Sequence, residues 1–236
     1  MIVAKEVTKK FGKFYALNNV SITCEKGECV AFIGPNGSGK TTFVKCILGM
    51  VVPDSGSISF NDNSIAHSWL YRSQIGYMPQ IGRYPENMTV GQVFNMMKDI
   101  RKPTGKYDDE LVNSFGLDKI MQKRMRTLSG GTTQKVSASL AFLFNSDVLI
   151  LDEPTAGLDP VSSEILKEKI IGEKNKGKLI LITSHVLSEL DDLITEVIYM
   201  HEGNMKFHTT LDKLKETTGE EKLSKAIAKV MLTGNY

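Results

Sequence analysis

The chain has 236 residues, 41% of them hydrophobic and 24% charged, the balance of a soluble globular protein large enough to bury a core without disulfides. A net charge of +2 argues neither for a nucleic-acid binder nor for a strongly basic membrane-surface protein, and nucleic acid is not an expected partner. No apolar run approaches the roughly 18 residues that span a bilayer, and the N-terminus lacks the apolar stretch of a signal peptide. The expected location is the cytoplasm, with any membrane role carried by a partner.

In chain order, IVAKEVT (2–8) and NNVSITC (18–24) alternate apolar and polar residues and predict strands. Cys24 and Cys29 flank the turn EKGE and could face each other across a hairpin. They are read as half-buried strand thiols, with a two-thiolate metal site as the alternative. CVAFIG (29–34) is a buried strand that runs into a glycine loop, and KTTFVKCILGM places Phe43, Val44, Ile47 and Leu48 at helical spacing. GSISF (56–60) and IGYMP (75–79) are short strands.

From about 82 to 127 helical patterns replace strands, which predicts an inserted helical subdomain, and six of the eleven methionines fall between Met78 and Met125. A long helix follows from 129. DVLILDEP (147–154) and KLILITSH (178–185) are two further apolar strands, so the fold class is α/β with a mainly parallel sheet covered on both faces. EVIYMHEGNMKFHT (196–209) is a closing hairpin. The main domain is expected to run over 1–218, with a helical tail over 219–236.

GPNGSGKTT (34–42) fits the phosphate-loop pattern, and the strand before it and helix after it are the context that pattern needs. Gly34, Asn36, Gly37, Ser38 and Gly39 let successive backbone N–H groups curl around phosphate oxygens, and the helix start adds its positive end. Lys40 reaches the β- and γ-phosphates as a point charge, Thr41 ligates Mg²⁺, and Thr42 lies near the α-phosphate. In LILDEP, Asp152 serves Mg²⁺ through its water shell, and Glu153 orients and deprotonates the attacking water. A nucleotide and Mg²⁺ are therefore the expected ligands.

The order of motifs to about residue 210 resembles the ATP-binding subunit of ABC-type ATPases. It runs through the loop at 34–42, Gln80 in YMPQ, LSGGT at 128–132, LILDEP at 149–154, GLD at 157–159 and His185 in TSH. The fold implied is a P-loop NTPase core with an N-terminal antiparallel β subdomain and the helical insert. Two such domains pair head to tail, so Ser129, Gly130 and Gly131 would contact the γ-phosphate of the partner's nucleotide. Gln80 would touch Mg²⁺ and the attacking water, His185 the γ-phosphate, and Asp159 the opposite subunit. Phe11 would stack on adenine, with Phe14 and Tyr15 nearby. Where the family usually has glutamine after LSGG, Thr132 and Thr133 stand before Gln134.

The resemblance implies a second ATPase subunit, as a homodimer, and a separate membrane permease docked on the helical subdomain at the inner face of the membrane. A finer likeness, in YMPQIGRYPENMTVGQ, LSGGTTQKVSASLAFLF and ITSHVLSELDDL, is to ATPases that process copper for nitrous-oxide reductase, which would add a periplasmic partner. The alternatives are an exporter of drugs, lipids or peptides, and a soluble ATPase of the iron–sulfur-assembly type.

Overall fold

The computed structural model describes residues 1–101 and 105–233; residues 102–104 of the expected helical insert and 234–236 of the expected tail lie outside them. The chain opens with β1 (Ile2–Phe11) and β2 (Phe14–Cys24), which pair antiparallel around the turn at Gly12 and Lys13. β3 (Cys29–Ile33) then enters a different sheet and delivers the chain to α1 (Lys40–Ile47). β4 (Ser55–Phe60) and the two-residue β5 (Asn63–Ser64) return to the first sheet, whose order is β2-β1-β4-β5.

Cys24 and Cys29 therefore do not face each other across a hairpin. They end and begin strands of separate sheets, both fully buried, in separate apolar clusters. Burial pushes the Cys29 thiol up to about 12 and raises that of Cys24 further, which leaves both as inert core groups.

A 3₁₀ turn (Leu70–Gln74) leads into β6 (Ile75–Met78). The helical stretch follows: α2 (Val90–Arg101), α3 (Glu110–Ser114) and α4 (Gly130–Phe142). α2 starts on a capping box, in which Thr89 N–H donates to Gln92 Oε1 (2.8 Å) and Gln92 N–H to Thr89 Oγ1 (3.2 Å). These helices share an apolar cluster of Val90, Val93, Phe94, Val112, Leu117 and Met125 with Val136, Leu140 and Leu143, so α4 completes their core. Met88, Met97 and Met121 pack against the same cluster.

β7 (Val148–Asp152), α5 (Pro160–Asn175), β8 (Leu179–Thr183), β9 (Glu196–His201) and β10 (Asn204–Thr210) finish the second sheet, order β10-β9-β3-β8-β7-β6. Five strands are parallel, and only the edge strand β10 runs antiparallel. The period of two explains why its central strands are apolar throughout. Ala31, Leu149, Leu151, Ile180 and Ile182 face one cluster, while Val30, Phe32, Ile150, Leu179 and Leu181 face another that lies between the sheets and α1. Truncating one of the large side chains to alanine would cost about 2–5 kcal/mol.

The chain continues into α6 (Leu211–Thr218), within the expected main unit, and α7 (Leu223–Thr233) in the expected tail; both pack back on the chain's own core through Leu211, Leu214, Leu223, Ala226, Ile227 and Val230. An ion cluster around the buried Lys169 ties the helical stretch to α5. Lys169 Nζ meets Asp108 (2.6 Å), Glu110 (2.7 Å) and Glu173 (3.1 Å). Burial works against the Lys169 charge, but the three carboxylates outweigh it and raise the pKa.

Candidate active site

The loop between β3 and α1 is shaped by two glycines that no other residue can replace. Gly34 has φ +145°, and a Cβ there would sit 2.0 Å from the Met200 carbonyl oxygen. Gly39 has φ +108°, and its Cβ would sit 2.4 Å from the Ala16 carbonyl oxygen. The loop thus wraps against the β1–β2 hairpin and β9, and α1 begins with no acidic residue in its first turn. Lys40 folds back over the loop, its Nζ donating to the Gly34 carbonyl at 2.7 Å and the Pro35 carbonyl at 3.1 Å. Burial lowers its pKa, and the nearby carboxylates of Glu153 and Asp152 partly restore it.

Both carboxylates come from the end of β7. They are buried, and one residue on β8 organises them: the Thr183 hydroxyl donates to Asp152 Oδ1. The Glu153 N–H donates to the Thr183 carbonyl (3.0 Å) and hydroxyl oxygen (3.2 Å). Glu153 is held at φ +54°, left-handed backbone that costs a non-glycine residue about 1–2 kcal/mol. His185, exposed two residues past β8, brings Nδ1 into contact with Glu153 Oε2.

Loop and carboxylates enclose a cleft of about 200 Å³ lined by Phe11, Phe14, Ala16, Asn36, Gly37, Ser38, Gly39, Lys40, Thr41, Thr42, Gln80, Asp152 and Glu153. Nearly all the residues expected to hold nucleotide within one chain are therefore brought together. Of the three aromatic candidates, Phe11 and Phe14 line the cleft, paired across the β1–β2 tip, and both rings are exposed. Tyr15 does not line it; the Lys10 ammonium lies 4.3 Å from its ring centre.

Ser129, Gly130, Gly131 and Asp159 do not line this cleft. Ser129 is the exposed N-cap of α4: its Oγ accepts from the Thr132 N–H at 3.3 Å and shares a hydrogen bond with Thr132 Oγ1 at 2.8 Å. Thr132 therefore has a local partner in Ser129. Gly131 allows close approach, since its Cβ would lie 2.7 Å from the Gly157 carbonyl oxygen. Asp159 caps α5, accepting from Ser162 N–H (2.9 Å) and Oγ (2.7 Å), and pairs with Lys135 of α4 at 2.8 Å. The Lys135 ammonium and the Ser162 donors hold its carboxyl well below the usual carboxylate range. The segment after Gln80 also rests on α4, with Tyr84 OH and Ser137 Oγ 2.8 Å apart.

Glycine cradle, buried lysine and strand-end carboxylates on a parallel sheet define a P-loop nucleoside triphosphatase. Residues 17–156 match the family described as ABC transporter. The chain belongs to that family, as an ATP-binding domain whose ATPase activity is coupled to transport. The lantibiotic transport ATP-binding protein SrtF of Streptococcus pyogenes is 32% identical over 228 residues, 94% of this chain and 94% of the relative. The Nod factor export ATP-binding protein I of Burkholderia lata is 32% identical over 207 residues, 84% of this chain and 67% of the relative. A solved ATP-binding subunit of an ABC transporter superposes with a TM-score of 0.90 at 28% identity, covering 98% of this chain and 99% of that one.

Proposed function

We propose that the chain is the ATP-hydrolysing subunit of an export-type transporter, working as a homodimer in which each ATP is held between two copies. The observation that carries this reading is the separation of the two glycine motifs. Loop 34–42 faces the chain's own carboxylates, whereas the start of α4 at Ser129 is exposed and lies outside that cleft. A helix start with free N–H groups is an anion site, and only a second molecule can supply its phosphate.

Within the cleft, backbone N–H groups of the loop and the Lys40 ammonium bind the β- and γ-phosphates, and the Phe11 or Phe14 face takes the adenine. Glu153, set by Thr183, accepts a proton from the attacking water. His185 and Gln80 approach the same water and γ-phosphate. The hydroxyl of Thr41, the carboxylate of Asp152 and the amide oxygen of Gln80 suit a hard divalent cation and would hold Mg²⁺, which would supply positive charge against the phosphates. In the assembled pair Asp159 would reach the opposite subunit, and ATP would favour the closed dimer by binding both halves at once.

No helix among the described residues is long and apolar enough to cross a membrane. In this reading a membrane permease partner holds the subunit at the inner face. Exposed apolar side chains available for contact with it include Val52 and Trp69, which line one groove, and Ile100 on α2. The transport and export named for the two relatives support this reading over a scaffold-bound soluble ATPase. Copper processing, with its periplasmic partner, gains no support, since five of the six clustered methionines serve apolar cores: Met78, Met88, Met97, Met121 and Met125.

The test is affinity capture of the Glu153→Gln variant from membranes with bound ATP. Recovery of a multi-span permease is expected. Recovery only from the soluble fraction, with assembly factors and no permease, would overturn the transporter reading.

A further inference from the structure

The roles of Glu153 and His185 depend on two short turns that follow separate strands. The first, 153–159, leaves β7 through the left-handed backbone of Glu153 and folds tightly, with Ala156 N–H donating to the Glu153 carbonyl at 3.1 Å and Leu158 N–H to the Thr155 carbonyl at 3.1 Å. The second is the 3₁₀ turn Leu187–Glu189, just beyond His185. One hydrogen bond joins them: the Thr155 hydroxyl donates to Glu189 Oε2.

Resting on the reading of Glu153 and His185 as the hydrolytic pair, we propose that Glu189 is a positioning residue for ATP hydrolysis. It acts through Thr155 to hold the two turns, and so the Glu153 carboxylate and the His185 ring, in register. A left-handed non-glycine residue persists only where its surroundings over-determine it. Thr183 holds Glu153 from the strand side, and Glu189 holds the same backbone two residues further on.

Glu189 itself sits on a fixed base. Leu190 beside it is buried, and Asp191 Oδ1 accepts from the Leu223 N–H at 2.8 Å, so the first residue of α7 braces the turn. α7 packs directly on the turn 187–189. The C-terminal helix thereby fixes the base from which Glu189 reaches Thr155. An exposed polar contact would be worth little in water, but this bond is half-buried between two packed turns, where its geometry matters more than its energy.

The experiment is steady-state ATP hydrolysis by the full chain, comparing Thr155→Val with Thr155→Ser, and Glu189→Met with Glu189→Gln. Valine and methionine remove the hydrogen bond; serine and glutamine keep a donor or an acceptor. The first of each pair should lose roughly tenfold in kcat, with KM for ATP and Tm close to wild type. Serine and glutamine should restore most of the loss. The Thr155→Val/Glu189→Met double variant should be no slower than either single one.

Unchanged kcat, additive losses, or equal losses in the conservative variants would each overturn the proposal, as would a fall in kcat matched by a fall in Tm. Glu153→Gln in the same assay separates the two levels. If it hydrolyses like wild type, the underlying reading fails; if it is inactive while Thr155→Val is normal, only the positioning role fails.

Discussion

The His185 ring meets the Glu153 carboxylate through Nδ1. A carboxylate only accepts hydrogen bonds, so Nδ1 carries the proton, and a neutral ring then offers Nε2 as an acceptor. A ring in that state cannot donate to a phosphate. To donate to the γ-phosphate, His185 must take a second proton or turn away from Glu153.

His185→Ala is accordingly expected to slow hydrolysis by roughly 10²-fold, the scale of losing one donor to a developing charge. ATP affinity should change little, because Lys40 and the loop N–H groups carry the phosphates in this reading and His185 does not line the cleft. Steady-state kinetics beside a fluorescent-nucleotide titration reads both. Unchanged kcat would remove His185 from the reaction.

Among the described residues, Lys40 is the one buried ammonium in the cleft lining, and it caps two loop carbonyls. Lys40→Ala should weaken ATP binding at least tenfold, about 1.4 kcal/mol, in calorimetric titration, and stop turnover. Wild-type affinity would mean that the loop does not hold the phosphates.

Asp159 does two things in one chain, capping α5 and pairing with Lys135 on α4. The two separate by substitution. Asp159→Asn keeps a cap acceptor and should leave Tm near wild type, whereas Asp159→Ala should lower it by about 3 °C in calorimetry. Equal losses would assign the stability to the ion pair instead.

Acid should loosen the join between α5 and the helical stretch. Burial alone would raise the Glu173 pKa, but the ammoniums of Lys176, Lys178 and Lys169 outweigh it and bring it from the usual 4.5 to about 2. A depressed folded pKa gives stability that is present above the unfolded value and lost as pH falls through the folded one. Urea unfolding should therefore show stability declining from about pH 5 to about pH 2. Glu173→Gln should lower stability near neutrality by about 3 kcal/mol and flatten that decline. A variant with the wild-type pH slope would contradict this assignment.

Much of the fold was legible in the sequence because it is written in local patterns. Apolar runs mark β3, β7 and β8, and the glycine loop between CVAFIG and KTTFVKCIL needs both its glycines and its flanking elements. Partnerships at a distance were not legible. EKGE reads as a hairpin turn, yet its strands belong to different sheets, because a turn signal does not say whether the chains it joins will pair. The helix from 129 was legible, but not that Val136, Leu140 and Leu143 would complete the core of α2 and α3.

Thr183, Thr155 and Glu189 are common residues at no diagnostic spacing, and only the folded chain brings Thr183 to the two carboxylate residues and Thr155 to Glu189. The α5 cap did have a signal, since Asp159 followed by Pro160 is a standard helix start.

The proposed mechanism stands or falls on Ser129 of one copy completing the ATP site of another. The decisive measurement is light scattering of Glu153→Gln with and without saturating ATP, beside the Glu153→Gln/Ser129→Arg double variant. An ATP-dependent dimer is expected for Glu153→Gln, and a monomer that still binds ATP for the double variant. Equal dimerisation by both, or a strict monomer in both with ATP bound, would contradict the shared site.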